Sequence, residues 1–107
     1  MGKGEPRFGL EAEVIEKLIR VFRQYPRVEQ VLIYGSRAMG KYRPGSDIDL
    51  TLKGTQLGWH DLQAIEQAID DLLLPYKVDL SLYAQIDNQG LLAHIDRWGV
   101  EFKPSDA

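Results

Sequence analysis

From residue 10 to residue 25, the apolar side chains Leu10, Val14, Leu18, Val21, Phe22 and Tyr25 recur every three to four positions. That spacing lays one stripe along an α-helix, and Pro26 stops it because the residue before a proline is pushed out of the helical region. The period then changes. Residues 28–34 form a short run rich in β-branched residues ending at Gly35, which predicts a buried strand. Residues 37–40 have room for one helical turn before Arg43-Pro44-Gly45-Ser46 breaks it and re-aims the chain. A second strand is expected over 47–53. A second helix follows over 59–74, with Leu62, Ile65, Ile69, Leu72 and Leu73 on one stripe and Pro75 at its end. Residues 77–83 predict a third strand. Asp87 is expected to cap a last helix carrying Leu91, Ile95 and Trp98, closed by Gly99 in a left-handed position.

The order helix, strand, strand, helix, strand, helix predicts an α/β (α+β) fold, a small mixed β-sheet with helices packed on one face. One domain is expected over residues 9–107, behind a flexible N-terminus of residues 1–8 that lacks an apolar period. There is no internal repeat, low-complexity tract or linker.

Alternation within the strands carries the first chemical signal. Asp47, Asp49, Thr51 and Lys53 share one side of the second strand and Ile48, Leu50 and Leu52 the other. In the third strand Lys77, Asp79 and Ser81 alternate with Val78, Leu80 and Leu82 in the same sense. If the two strands are neighbours, their apolar faces pack on the two long helices and Asp79 stands beside Asp47 and Asp49 on the open side. Convergent carboxylates repel unless a cation neutralises them. Oxygen-only donors in an open cleft favour Mg²⁺, which takes one or two protein carboxylates and completes its shell with water and substrate phosphate. The plain alternative is that these acids are solvated strand residues, as most surface acids are.

Composition narrows the classes. With 107 residues, 44% of them hydrophobic, the chain suits a single compact unit. Thirteen basic against sixteen acidic residues give a net charge of -3, so no global positive field draws it to nucleic acid or to an anionic membrane. Any phosphate must be met by a local device. The absence of cysteine excludes a disulfide framework, a thiolate zinc site and a cysteine nucleophile, and agrees with a reducing cytoplasm. No apolar run approaches the roughly 18 residues of a membrane span. A cytoplasmic location is expected.

Gly35-Ser-Arg-Ala-Met-Gly40-Lys41-Tyr42 matches G-x-x-x-x-G-K after a strand, yet it is a poor phosphate loop of the Walker type. Such a loop needs Ser or Thr where Tyr42 stands, and must run into a long helix that Pro44 and Gly45 forbid. Gly35 and Ser36, at the end of a buried strand, can instead offer bare amides and a hydroxyl to phosphate oxygens. Ten residues separate them from Asp47-Ile48-Asp49, the G-S-x10-D-x-D arrangement. On this motif, with Arg37-Ala38, Gly40, Ser46 to Leu50 and the later Val78-Asp79-Leu80, the chain resembles the DNA polymerase β-like nucleotidyltransferases. Within them it is most similar to the minimal nucleotidyltransferase (MNT) family.

The resemblance implies that Asp47, Asp49 and Asp79 are the metal-binding and catalytic acids, holding two Mg²⁺ ions, with the third-strand acid as general base. It implies that Gly35 and Ser36 bind the β- and γ-phosphates of a nucleoside triphosphate, ATP above all. Arg37, Lys41 and Arg43 are candidates for further phosphate contacts, or else solvated loop residues. Members of the family commonly pair with helical HEPN-family proteins, some as antitoxins that transfer AMP to a tyrosine of the HEPN partner. Two other readings stand beside this one: a binding antitoxin of low turnover, and a small-molecule nucleotidyltransferase active only as an oligomer. The remaining polar and aromatic residues read more plainly. His60 and His94 are expected to be surface or cap residues, Trp98 a core residue, Tyr34 a buried strand aromatic, and Glu66, Asp70 and Asp71 a solvated helix face.

Overall fold

A computed structural model of the chain describes residues 6–104. Arg7 and Leu10 exchange backbone hydrogen bonds across a tight turn of 2.8 and 3.1 Å, and Phe8 within it sets its ring 6.2 Å from that of Phe102. Residues 1–5, most of the expected flexible terminus, lie outside the described residues.

Helix α1 (Ala12–Arg23) buries Val14, Ile15, Leu18, Ile19, Val21 and Phe22, so its apolar stripe is wider than the positions that predicted it. Strand β1 (Gln30–Tyr34) leads into the short α2 (Ser36–Met39), which Gly40 ends in the left-handed conformation. Strand β2 (Ile48–Lys53) runs back antiparallel to β1 with Tyr34 opposite Asp49 and Val31 opposite Leu52. Helix α3 (Trp59–Asp70) starts with the Asp61 carboxylate accepting the Gly58 N–H at 3.0 Å. It stops earlier than the stripe suggests: residues 71–73 wind as turns, and Leu73 takes φ 54° and lies 87% exposed ahead of Pro75. The crossover through α3 returns the chain parallel to β2 as β3 (Val78–Leu82).

After a 3₁₀ turn, α4 (Gln89–Trp98) begins. Its cap is Asn88, whose side chain accepts the Leu91 N–H at 2.9 Å, not Asp87. Both residue types can cap, and the position is set by the extended backbone of Asn88 immediately before the first turn. Gly99 closes the helix with extended backbone, φ -63° and ψ 138°, rather than the left-handed position expected. Glycine is needed there for room, since a Cβ would run into the carbonyl oxygen of Ile95. A two-residue strand unforeseen in the sequence, β4 (Val100–Glu101), then pairs antiparallel with β1.

The sheet order is β3-β2-β1-β4. Ile33, Ile48, Leu50 and Leu52 form its buried apolar face together with the stripes of α1 and α3. That is the small mixed α/β sheet expected, with both long helices on one face. Ile95 is also buried but lies outside this core cluster, because α4 reaches β1 from the side that carries the acids. Trp98, at 40% exposed, is not a core residue: the short α4 spends its inward position on Ile95 and leaves the indole stacked near Arg97 at the surface.

Candidate active site

The parallel register of β2 and β3 places Asp49 directly beside Asp79 and Thr51 beside Ser81. By alternation these four side chains, with Tyr34 from β1, stand on the face opposite Leu50 and Leu80. Asp47 lies one residue ahead of β2 and is exposed, as is Asp79. The three acids expected to converge are thus brought to one rim, and none is turned into the core. Asp49 registers the convergence electrically. Its carboxyl is pushed above the usual carboxylate range, first by burial, then by the charges of Asp79 and Asp47, against a smaller opposing pull from the Arg37 guanidinium.

The glycine-serine bend meets the same carboxylate. Gly35 takes φ 76° and ψ -157°, which only glycine adopts readily. A Cβ there would collide with Oδ2 of Asp49. Ser36 follows as the first residue of α2, so Gly35, Ser36 and Asp49 form one continuous surface. The α2 helix has only four residues and β1 and β2 are antiparallel, which is not the architecture of a Walker loop.

Below this surface the polar face is tied together. Ser81 donates to Thr51 Oγ1 at 3.0 Å, and Thr51, fully buried, has the Ser81 carbonyl at 3.4 Å. Tyr34 is buried too, as a strand aromatic was expected to be. Burial lifts its phenol above the ordinary range, the neighbouring Ser81 hydroxyl works the other way, and Asp49 and Asp79 reinforce the rise. It stays protonated beside the acids.

Arg37 is where loop chemistry departs from expectation. It is neither a solvated loop residue nor free to meet phosphate, being 2% exposed. Its guanidinium donates to the Ser46 carbonyl at 2.9 and 3.2 Å and to the Phe8 carbonyl at 2.9 Å, and lies 5.0 and 5.4 Å from the ring centres of Tyr76 and Tyr42. The fork of donors therefore fastens residue 46, immediately before Asp47, to α2 and to the N-terminal turn. Lys41 and Arg43 are exposed; Arg43 closes its own tight turn, with its N–H donating to Ser46 Oγ at 2.8 Å.

His94 departs too. Its Nε2 accepts the Gly35 N–H at 3.0 Å, and its ring meets Tyr34 edge-on at 6.1 Å. No local signal announces this, because the partners are 59 positions apart in the chain. For Arg37 a partial signal is present: one of its two tyrosines, Tyr42, and the Pro-Gly-Ser turn whose carbonyl it meets follow within ten residues, while Tyr76 lies far along the chain. His60, Glu66, Asp70 and Asp71 are exposed, as expected.

The donor set suits a hard cation. Among the described residues no histidine, cysteine or acid cluster stands in ready-made metal-ligating geometry. Asp47, Asp49 and Asp79 instead offer oxygens on an open rim, with Asp49 penalised for its charge in the absence of a counter-ion. That combination fits a cation sharing its shell with substrate phosphates rather than a closed protein cage.

Residues 16–106 match the family described as Polymerase beta, Nucleotidyltransferase. A search of curated proteins finds no match. Among solved structures, a chain of a toxin–antitoxin complex with AMP-PNP superposes with a TM-score of 0.67 at 20% identity, covering 86% of this chain and 74% of that one. A chain of the tri-AMPylated Shewanella oneidensis HEPN toxin in complex with MNT antitoxin gives 0.63 at 18%, covering 87% and 71%. The MntA–HepT toxin–antitoxin gives 0.63 at 18%, covering 89% and 74%. At these identities the likeness is one of fold. With the glycine-serine bend, the paired strand acids and a family match over most of its length, this chain belongs to the polymerase-beta family of nucleotidyltransferases.

Proposed function

We propose that the chain transfers AMP from ATP to a hydroxyl of a partner protein, a tyrosine of a HEPN-family toxin, and thereby acts as an antitoxin in the cytoplasm. The observation that carries this reading is the register of β2 and β3, which sets Asp49 against Asp79 while Gly35 closes on Asp49 from the other side. Asp47, Asp49 and Asp79 hold Mg²⁺, and Gly35 and Ser36 hold the β- and γ-phosphates. Mg²⁺ supplies charge neutralisation of the triphosphate and a lowered pKa for the attacking hydroxyl. Asp79, exposed on the edge strand, is open to an acceptor and takes its proton. The hydroxyl oxygen forms its bond to the α-phosphorus as the bond to the bridging oxygen breaks, and pyrophosphate leaves with that electron pair. The structures of AMP-PNP-bound and AMPylated toxin–antitoxin complexes support the choice of adenylate and of partner.

The test is incubation of the chain with α-labelled ATP, Mg²⁺ and a HEPN-family partner. Label is expected on the partner's tyrosine with the native chain. None is expected with the double variant Asp47→Asn, Asp49→Asn, which removes charge from a rim without removing volume from the core. Tight partner binding with no label in either case rejects catalysis in favour of sterically acting antitoxin, and label on a small acceptor alone rejects the protein target.

A further inference from the structure

His94 sits in the middle of α4, far along the chain from the bend it touches. A backbone amide can only donate, so the 3.0 Å contact from the Gly35 N–H requires a lone pair on Nε2 and puts the neutral ring's proton on Nδ1. The ring is fixed from several sides. Tyr34 packs against it with planes at 73°, the adjacent Ile95 is 1% exposed, and Asp96 accepts the Tyr83 hydroxyl at 2.7 Å. Asn88 pins the start of the helix. A ring so anchored is not a loose surface group.

Gly35 is accordingly held between two side chains from separate elements. Asp49 of β2 fills the space where a Cβ would stand, and His94 of α4 takes the amide hydrogen. Glycine with φ 76° has no side chain to restrain its peptide planes, and it gains that restraint from outside. The orientation of the next residue, Ser36, follows from it.

We propose that His94 is a positioning residue for the nucleotide's phosphates. By accepting the Gly35 N–H it fixes the peptide so that Ser36 presents its own amide and hydroxyl to the β- and γ-phosphates. It touches neither phosphate nor acceptor and carries no proton in the reaction. Preorganised donors lose less on binding than donors that must first be ordered. The inference rests on the nucleotidyltransferase reading above and adds to it a residue from outside the motif.

The test is the affinity of the purified chain for ATP with Mg²⁺, measured by calorimetry, in His94→Ala and His94→Gln. Glutamine brings a carbonyl oxygen to about the reach of Nε2, and alanine brings no acceptor. Loss of one net hydrogen bond predicts about tenfold weaker binding for His94→Ala, and recovery to within about threefold of wild type for His94→Gln. The Gly35 amide proton should move upfield in His94→Ala and return in His94→Gln. Folded His94→Ala with wild-type affinity overturns the assignment, as does His94→Gln more than about tenfold weakened. The glutamine variant decides the matter if the alanine variant does not fold. A wild-type chain that binds no ATP with Mg²⁺ overturns the nucleotidyltransferase reading itself, and the role of His94 with it. Native binding that the variants leave unchanged removes His94 alone.

Discussion

On one face of β2, Ile48, Leu50 and Leu52 are buried against the stripes of α1 and α3; on the other, one residue along the same strand, Asp49 stands between Asp79 and Asp47 with its carboxyl pushed toward the protonated form. The apolar face gains free energy from every side chain it hides, about 1.5–3 kcal/mol for each large one. The acid face loses it by setting like charges together. A strand can serve both because alternation keeps the two sets of side chains apart, and the buried side holds the backbone in the register that the exposed side needs. Stability is made on one face and spent on the other.

The largest effect on the fold is expected from the apolar face. Leu50→Ala empties a fully buried position in the central cluster, and should cost about 3 kcal/mol in denaturant unfolding, with any surviving folded fraction still carrying its acids. A loss under about 1 kcal/mol would mean that the sheet is not anchored by this layer. Next comes the clamp that links the faces. Arg37→Met keeps length but removes every donor to the Ser46 and Phe8 carbonyls. About 2 kcal/mol should be lost, and nucleotide transfer should fall further than stability alone explains, because residue 46 then no longer fixes Asp47. Equal loss of both would make Arg37 a packing residue with no bearing on the rim.

Which of these features could be read from the chain itself follows from how far apart their parts lie. The helix stripes and strand alternation repeat within ten residues, so α1, α3, β1, β2 and β3 were visible, and matched polarity was enough to place Asp79 beside Asp49. The bend was visible because a glycine and serine precede the acids at a fixed spacing. Hidden features were those that depend on tertiary packing. β4 is two residues long and gives no period, the face of α4 is chosen by Ile95 and Tyr83 contacts, and His94 is fixed by a backbone amide that no side-chain pattern records. Of the Arg37 partners only Tyr42 and the 44–46 turn are near it in the chain, the Phe8 carbonyl and Tyr76 being remote. Trp98 is exposed rather than in the core for the same reason: an indole at the end of a ten-residue helix can face either way.

The smallest expected effect separates the two faces most cleanly. Asp49 has a folded-state pKa above its ordinary value, because burial and then Asp79 and Asp47 oppose its charge. For an acid shifted in that direction, the favourable contribution to folding is complete below the ordinary carboxylate pKa and disappears as pH rises through the raised folded value. At neutral pH the ionised group is therefore a burden on the fold. Asp49→Asn should unfold at a slightly higher denaturant concentration than wild type at pH 7, by less than about 1 kcal/mol because solvent screens a half-exposed carboxyl. The advantage should shrink as pH falls through the raised pKa and wild-type Asp49 takes up its proton. Mg²⁺ with ATP should raise the stability of wild type more than that of the variant, since the variant brings one carboxylate fewer to the cation. If Asp49→Asn is instead the less stable chain at pH 7, the acids do not strain one another, and the two faces differ in polarity but not in what they contribute to the fold.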